Sequence, residues 1–226
     1  MAKRRVLRAP EHLPSTVPVF PLTGALLLPR RELPLNIFEP RYLEMVDDAL
    51  AGDRMIGLIQ PRIGPDGPDE SESPLLSAIG CLGRITAFQE ADDGRYLITL
   101  QGISRFRVVE ELTVSTSYRQ CRIDGHTFAR DFKPNLGEET VDRQRLIQTF
   151  RDYLDAHDLD ADWESVERAS NETLVNALAM MSPYGPREKQ ALLEADDLNT
   201  RAEVLIAVTE MALARDAGDE YGHSLQ

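Results

Sequence analysis

Apolar residues in the first 133 positions occur in short runs separated by proline and glycine, a pattern typical of short β-strands with irregular ends. These runs include Val17 and Val19, residues 26–28 and residues 55–60. The clearest hairpin spans residues 79–100, where Asp92, Asp93 and Gly94 favour a turn between two strand-like runs. The first segment is therefore predicted to be mainly β.

The rest of this segment fits the same prediction. Residues 62–77 contain four acidic residues together with several glycines and prolines, which predicts a mobile loop. Gly102 allows a bulge or a reversal before the strand-like residues 106–109, and residues 118–123 supply a last strand.

One helix interrupts the β-rich segment. Pro40 suits the first helical position, Glu39 places negative charge beside the N-terminus, and Gly52 favours the helix end. The apolar residues between them follow the spacing i, i+3, i+4, i+7 and i+8 of one helix face. They are Tyr42, Met45, Val46, Ala49 and Leu50.

The second segment is predicted to be helical throughout. Apolar stripes at residues 146–154 and 174–181 precede a break at residues 182–185, after which Pro186 opens a new helix. Thr200 and Glu203 match a capping box for the last helix. We interpret the stripes as the core of a helical bundle.

Charge divides the chain in the same way. The 226 residues carry a net charge of −13, yet residues 1–133 hold 18 acidic and 17 basic residues, whereas residues 134–226 hold 20 and 8. Binding of phosphates needs clustered lysine and arginine, so the second segment is not expected to contact nucleic acid. A solvated helical surface is the simplest explanation of its acidity.

Other features of composition indicate a cytoplasmic globular protein. No apolar run approaches the roughly 18–20 residues that cross a bilayer, and the basic residues at the N-terminus are not followed by the apolar core of a secretory signal. Cys81 and Cys121 each lie in an alternating apolar stretch, which favours buried thiols over a disulfide framework or a metal site.

Motifs for cofactor or metal chemistry are missing from the sequence. The dipeptide Gly-Lys of a phosphate-binding loop does not occur, and neither does Gly-x-Gly-x-x-Gly. The four histidines are too widely spaced for a zinc motif. We therefore expect no cofactor and no metal.

Catalysis by a serine and a lysine also lacks support. Such a dyad needs a lysine beside the serine, and Lys3, Lys133 and Lys189 lie in unsuitable settings. Lys189 is predicted to be a surface residue near the start of a helix. We expect no catalytic residues, and a hydrolase whose active site is assembled from distant residues stays open as an alternative.

Several motifs resemble the N-terminal, or substrate-binding, domain of Lon proteases. They are Leu33-Pro34-Leu35 with Ile37-Phe38-Glu39-Pro40-Arg41-Tyr42, then Ile79-Gly80-Cys81, Asp93-Gly94-Arg95-Tyr96, and Gly102 followed by Arg105-Phe106. The resemblance covers roughly residues 15–125. The helical segment after Gly137 resembles the bundle that follows this domain in Lon-like proteins.

This resemblance implies an α+β fold, in which a PUA-like β-barrel or pseudobarrel with one inserted helix is followed by a C-terminal α-helical bundle. The predicted limits are residues 15–133 for the β domain and 138–215 for the bundle, with flexible tails at 1–14 and 216–226.

It also implies a function. In Lon proteases this region helps to engage unfolded or tagged substrates and supports oligomer assembly, while separate ATPase and Ser-Lys peptidase domains do the work. Because the sequence stops at Gln226, we expect a stand-alone, non-enzymatic module that binds unfolded or damaged polypeptides. It would act as an adaptor or chaperone-like factor beside a protease or chaperone, in an oligomeric state that the sequence leaves open.

Two questions stay open at this point. PUA-like folds also bind RNA, although the even charge balance of the first segment and the acidity of the second weigh against an RNA-binding protein. A polypeptide would bind either in an apolar groove between the two segments or at the loop of residues 62–77.

The motif residues themselves are interpreted as structural. They are Pro34, Phe38, Glu39, Pro40, Arg41, Tyr42, Gly80, Gly94, Arg105 and Phe106. Phe38 is expected to fill the end of the barrel, and Arg41 to pair with Glu39 or a nearby carboxylate. Arg105 alternates with Phe106 and is expected to face water from a strand.

Overall fold

The computed structural model describes residues 7–64, 67, 68, 71 and 73–223. The chain divides into two compact units. The first, here called the barrel unit, holds the chain up to Pro134 together with Gly185–Leu193; the second, the helical unit, holds Asn135–Tyr184 and the chain from Glu194 onward.

The barrel unit is built from strands and one α-helix that alternate along the chain. They are β1 (Thr16–Pro21), β2 (Glu32–Ile37), α1 (Pro40–Ala51), β3 (Met55–Pro61), β4 (Ile63–Gly64), β5 (Gly67–Pro68), β6 (Leu76–Glu90), β7 (Tyr96–Glu111) and β8 (Gln120–Asp124). Short 3-10 helices lie at Pro10–His12 and His126–Phe132.

A closed ring of strands forms the barrel. β7 pairs with β6 and, in its second half, with β8; β8 pairs with β1, and β3 joins β1 to β6. The β1–β3 pair is parallel because the chain crosses over through α1 between them. β2 lies outside the ring, on the first half of β7. The ring confirms the predicted β-barrel and its inserted helix.

The ring of Phe106 fills the interior of the barrel. It is fully buried, and its core neighbours are Val17, Val19, Met55, Ile59, Leu82, Cys121 and Ile123. Gly57 on β3 and Gly80 on β6 face this ring, since a Cβ at either position would stand 2.9 Å or 2.6 Å from its Cζ atom. The two glycines therefore leave the space that the phenyl ring occupies.

The local predictions for this unit are largely confirmed. β6 and β7 form the expected hairpin, and Gly94 in its turn has a φ of 79°, which glycine adopts without steric cost. Gly102 marks a bulge and not a reversal, because β7 continues through it while its register with β6 shifts. Both cysteines are buried, and burial raises the pKa of Cys121 to about 11.

Other details differ from the sequence prediction. Residues 26–28 are buried but form no strand. The chain directly after them is held by two backbone hydrogen bonds: the Arg30 N–H donates to the Gly102 carbonyl, and the Gly102 N–H donates to the Arg31 carbonyl. Part of the predicted N-terminal tail is ordered, since Leu7 and Leu13 pack against the barrel core. Residues 65, 66, 69, 70 and 72 of the predicted mobile loop, with residues 1–6 and 224–226 of the predicted tails, lie outside the described residues.

The second half of the chain is helical, as predicted. Its helices are α2 (Arg143–Ala156), α3 (Trp163–Arg168), α4 (Asn171–Met181), α5 (Pro186–Glu194) and α6 (Leu198–His223). α6 begins at Leu198 and not at the predicted capping box, because the Asp197 carboxylate accepts a hydrogen bond from Thr200 N at 2.8 Å. It continues to His223 and so includes most of the predicted C-terminal tail.

Helix α5 belongs with the barrel as far as Leu193. Gln60 of β3 donates to the Pro186 carbonyl at 3.1 Å and to Gln190 Oε1 at 3.0 Å, and Gln190 donates to the Ile79 carbonyl of β6. The sequence prediction placed all of residues 138–215 in the bundle, whereas these bonds connect residues 185–193 to β3 and β6. The other predicted domain limits stay a prediction.

Gly80→Ala is expected to lower the free energy of unfolding by about 1–3 kcal/mol, since an extra methyl in a filled core costs roughly that much. It would stand 2.6 Å from the Phe106 ring and 2.7 Å from the Leu58 carbonyl oxygen. Gly64→Ala is the control, because the nearest atom to its Cβ would be 3.6 Å away. Urea denaturation of the variants measures the difference, and equal midpoints would contradict this packing.

Candidate functional site

An apolar groove of about 670 Å³ lies within the helical unit, between α2, α3 and α4. This volume falls in the range of about 300–1,000 Å³ that is usual for ligand sites. Most of its lining consists of apolar side chains from these three helices and the segments that connect them. They include Ile147, Phe150, Leu154, Leu159, Trp163, Val166, Leu174, Leu178, Met181 and Pro183.

Side-chain caps fix the helices that form the groove. The Asp162 carboxylate accepts hydrogen bonds from Ser165 N at 3.1 Å and Ser165 Oγ at 2.5 Å, so it caps the N-terminus of α3. Ser170 caps α4 in the same way by accepting from Thr173 N at 3.2 Å. Such caps satisfy N–H groups that the helix leaves unpaired.

Arg143 of α2 holds the other end of α3. Its guanidinium donates to the carbonyl of Val166 at 2.6 Å, to that of Glu167 at 3.1 Å, and to Asn171 Oδ1 of α4 at 2.7 Å. A cation at a helix C-terminus also interacts favourably with the helix dipole. Arg143 thus connects the three helices that form the groove.

Large apolar side chains of the groove remain in contact with solvent. Met181 is 81% exposed and Leu159 is 53% exposed. Trp163 is half-buried, and the guanidinium carbon of Arg151 lies 4.3 Å from its ring centroid, a cation–π contact. Exposed apolar surface in a concave site is typical of a binding site.

Acidic groups are the charged residues of the lining. Asp160 and Asp162 lie at the groove, and among its described lining residues there is no lysine, arginine or histidine. The hydrogen bonds from Ser165 hold the pKa of Asp162 below its usual value, so this carboxylate stays ionised.

The groove suits binding more than chemistry. The hydroxyl of Ser165 donates to Asp162, and that of Ser182 donates to the Leu178 carbonyl at 2.7 Å. Burial raises the pKa of Tyr153, so its phenol stays protonated. The Asp162 carboxylate that accepts from Ser165 caps α3 and has a lowered pKa, which makes it a weak base, so the described lining offers no well-matched general base for nucleophilic catalysis.

The sequence prediction interpreted the stripes of α2 and α4 as core, which is true of the buried residues in both helices and wrong for Met181. Phe150 and Leu174 are buried, whereas Met181 is exposed. The short helix α3 and Trp163 were missed. The available signal was Asp162, which stands three residues before Ser165 and directly before the one tryptophan of the chain.

Arg105, predicted to face water, is instead buried in the barrel unit with only 3% of its surface exposed. Its Nε and Nη2 atoms donate to the two carboxylate oxygens of Asp131 at 3.0 and 2.9 Å, and its Nη1 donates to the Leu193 carbonyl at 3.0 Å. Its guanidinium also lies 4.6 Å from the ring centroid of Phe128. The prediction was wrong because both faces of β7 are covered at this point.

The motif around the start of α1 also departs from expectation in one respect. Phe38 is 64% exposed and does not fill the barrel end. Glu39 does not cap the helix with its side chain and instead accepts hydrogen bonds from Arg41 at 2.8 and 3.0 Å, as expected for that pair. Pro40 is the first helical residue, and Tyr42 is buried with its ring centroid 4.4 Å from that of Phe20.

The motif residues do not form one site. Gly80 meets Phe106 in the barrel, and Gly94 lies in the hairpin turn. Pro34 is exposed on β2 opposite Thr99. The structural interpretation of the set stays a prediction.

Lys189, predicted to be a surface residue, is buried on α5, and this burial lowers the pKa of its ammonium group. The prediction was wrong because this helix packs on the barrel strands. Lys189 is not part of the groove lining and supplies no base there.

Within the described part of the chain, no three histidine, cysteine or carboxylate side chains are placed to hold a metal ion. Among the same residues, no helix combines the length and the apolar character that crossing a membrane requires.

Solved structures of Lon N-terminal domains share this fold. A Lon N-terminal domain protein from Xanthomonas campestris gives a TM-score of 0.56 over 85% of this chain and 97% of that one, at 22% identity. The N-terminal domain of the Mycobacterium avium complex Lon protease gives 0.62 over 86% and 98%, at 18% identity. The fold is thus the α+β fold of Lon N-terminal domains.

The family follows from the sequence comparison. The model of the ATP-dependent protease La (LON) substrate-binding domain matches residues 16–209. The chain therefore belongs to the Lon substrate-binding domain family, as its motifs predicted.

Full-length Lon proteases are among its relatives. The Lon protease of Parabacteroides distasonis is 30% identical over 207 residues, which are 88% of this chain and 24% of that protein. Lon protease 2 of Myxococcus xanthus is 27% identical over 202 residues, 87% of this chain and 24% of that protein. The chain thus spans about a quarter of the length of these relatives.

Arg105→Ala is expected to lower the free energy of unfolding by about 3–5 kcal/mol, because it leaves Asp131 buried without its counter-charge. Arg107→Ala, at an exposed position on the same strand, should change it by less than about 0.5 kcal/mol. Replacing the pair together, as Arg105→Met with Asp131→Leu, should recover part of the loss. Guanidinium denaturation checks all three, and equal effects of the two alanine variants would refute the role of the pair.

Proposed function

We propose that this protein is a non-catalytic module that binds unfolded or damaged polypeptides, with the groove of the helical unit as its binding surface. The groove itself is the observation that carries this proposal: it offers exposed apolar side chains in a concave site. Membership of the Lon substrate-binding domain family supports a polypeptide as the occupant.

The chemistry of the groove fits an unfolded chain. Folded proteins bury most of their large apolar side chains, whereas unfolded ones expose them, and each Å² of apolar surface removed from water contributes about 25 cal/mol. Met181 adds a flexible, polarisable side chain that adapts to different partners. A groove of this kind selects for exposed apolar segments more than for one sequence.

Such a module needs a partner to act on what it binds. We propose that it works in the cytoplasm beside a separate protease or chaperone, as an adaptor with no chemistry of its own. The family match, which is confined to a substrate-binding domain, supports a non-enzymatic role, and so do the hydrogen bonds that already occupy the hydroxyls of Ser165 and Ser182. RNA binding finds no support in the comparisons, and the acidic lining of the groove disfavours it.

Met181→Asp is expected to weaken binding of a labelled, permanently unfolded polypeptide by about tenfold or more, because a charge in the groove must be desolvated on binding. Met211→Asp is the matched control, since Met211 is 56% exposed on α6 and lies outside the groove lining. It should bind like the unchanged protein. Fluorescence anisotropy measures both affinities, and circular dichroism establishes that both variants fold.

Two outcomes would count against the proposal. If the folded, unchanged protein binds no unfolded polypeptide at tens of micromolar, it is not a polypeptide-binding module. If it binds and both methionine variants bind equally well, the surface lies elsewhere on the chain.

A further inference from the structure

We infer that the groove selects apolar segments that carry a lysine or arginine at one end, and that this basic end lies against the connection between α2 and α3. The inference rests on the proposed function and specifies the class of polypeptide that the same groove takes.

The connection between α2 and α3 is strongly acidic together with the helix ends on either side of it. Residues 155–167 contain six acidic residues and neither lysine nor arginine. Asp160 and Asp162 belong to the groove lining, and Asp155, Asp158 and Glu164 are exposed beside them. A basic side chain near this connection would meet several carboxylates at once, which strengthens attraction over that of a single surface pair.

Nearby arginines offset only part of this charge: of the acidic residues named above, Glu164 is the one that an arginine pairs with. Arg151 stacks on Trp163, Arg143 donates to carbonyl groups at the end of α3, and Arg168 pairs with Glu164 at 3.2 Å. Asp160 and Asp162 form no ion pair that the structure records among the described residues.

The part of the groove lining that α4 and the residues after it supply is mostly apolar, which gives the occupant a direction. Leu178, Met181 and Pro183 belong to this part. The acidic residue of α4, Glu172, lies in its first turn and accepts a hydrogen bond from Asn135 N at 2.9 Å. Apolar residues of the bound segment therefore lie along α4, with the basic residue toward Asp160. The long aliphatic part of a lysine or arginine can cover apolar surface while its charged end reaches a carboxylate.

The test uses short synthetic peptides with one apolar core and lysine, serine or glutamate at one end. Lysine-ended peptides should bind roughly 5- to 10-fold tighter than serine-ended ones at low salt, and glutamate-ended ones more weakly than either. The advantage of lysine should shrink as ionic strength rises. Isothermal titration calorimetry on the full chain measures all three.

A charge-neutral variant locates the effect. Asp160→Asn combined with Asp162→Asn keeps a capping residue at α3, since asparagine caps as well as aspartate. It should lose the preference for lysine, so that the lysine-ended and serine-ended peptides bind it with equal affinity. Asp196→Asn, at an exposed position outside the groove lining, is the matched control and should keep the preference.

The outcomes separate this inference from the proposed function. If no peptide binds and unfolded polypeptides do not bind either, the proposed function fails. If all three peptides bind equally, only the preference for a basic end is overturned. If sedimentation shows self-association that Met181→Asp removes, the groove is occupied by a second copy of the chain and the inference is wrong.

Discussion

The paired charges of Arg105 and Asp131 hold together three parts of the barrel unit that are distant in sequence. Arg105 lies on β7, Asp131 lies in the 3-10 helix at His126–Phe132, and the Leu193 carbonyl that Arg105 also binds belongs to α5. Asp131 accepts an additional hydrogen bond from Arg105 N, and its own carbonyl accepts from Arg30. Two buried charges are tolerated only where hydrogen bonds within the protein replace those that water would make. The three segments that supply these hydrogen bonds therefore have to pack together.

Much of the barrel unit could be predicted because its signals are local. Pro40 at a helix start and Asp93-Gly94 in a turn act through a few neighbouring residues, and the strands and helix appeared where these signals placed them. Arg105 could not be placed in this way. Alternation along a strand tells which residues share a face, and it does not tell whether the outer face is covered by a distant segment. The partners that bury Arg105 come from positions 131 and 193.

The groove could not be predicted from the sequence for a related reason. A stripe of apolar residues indicates a face that avoids water, and the same stripe serves a filled core or an open groove. Phe150 and Met181 follow the same spacing rules, yet one is buried and the other is exposed. The groove also needs the short helix α3, whose six residues are too few to give a periodic signal. The position of α3 depends on a hydrogen bond from Arg143 of α2 to the Val166 carbonyl, and this is a tertiary contact.

Because part of α5 belongs to the barrel unit, this unit is completed late during synthesis of the chain. Arg105 leaves the ribosome 26 residues before Asp131 but 88 residues before Leu193, and Gln60 emerges 130 residues before Gln190. At ordinary rates of translation the delay for Leu193 is on the order of 10 s. In that interval α2, α3 and α4 have already been made. The barrel, although it begins near the N-terminus, is therefore finished only after these helices exist, and a chaperone that binds nascent chains would meet its β3–β6 surface uncovered.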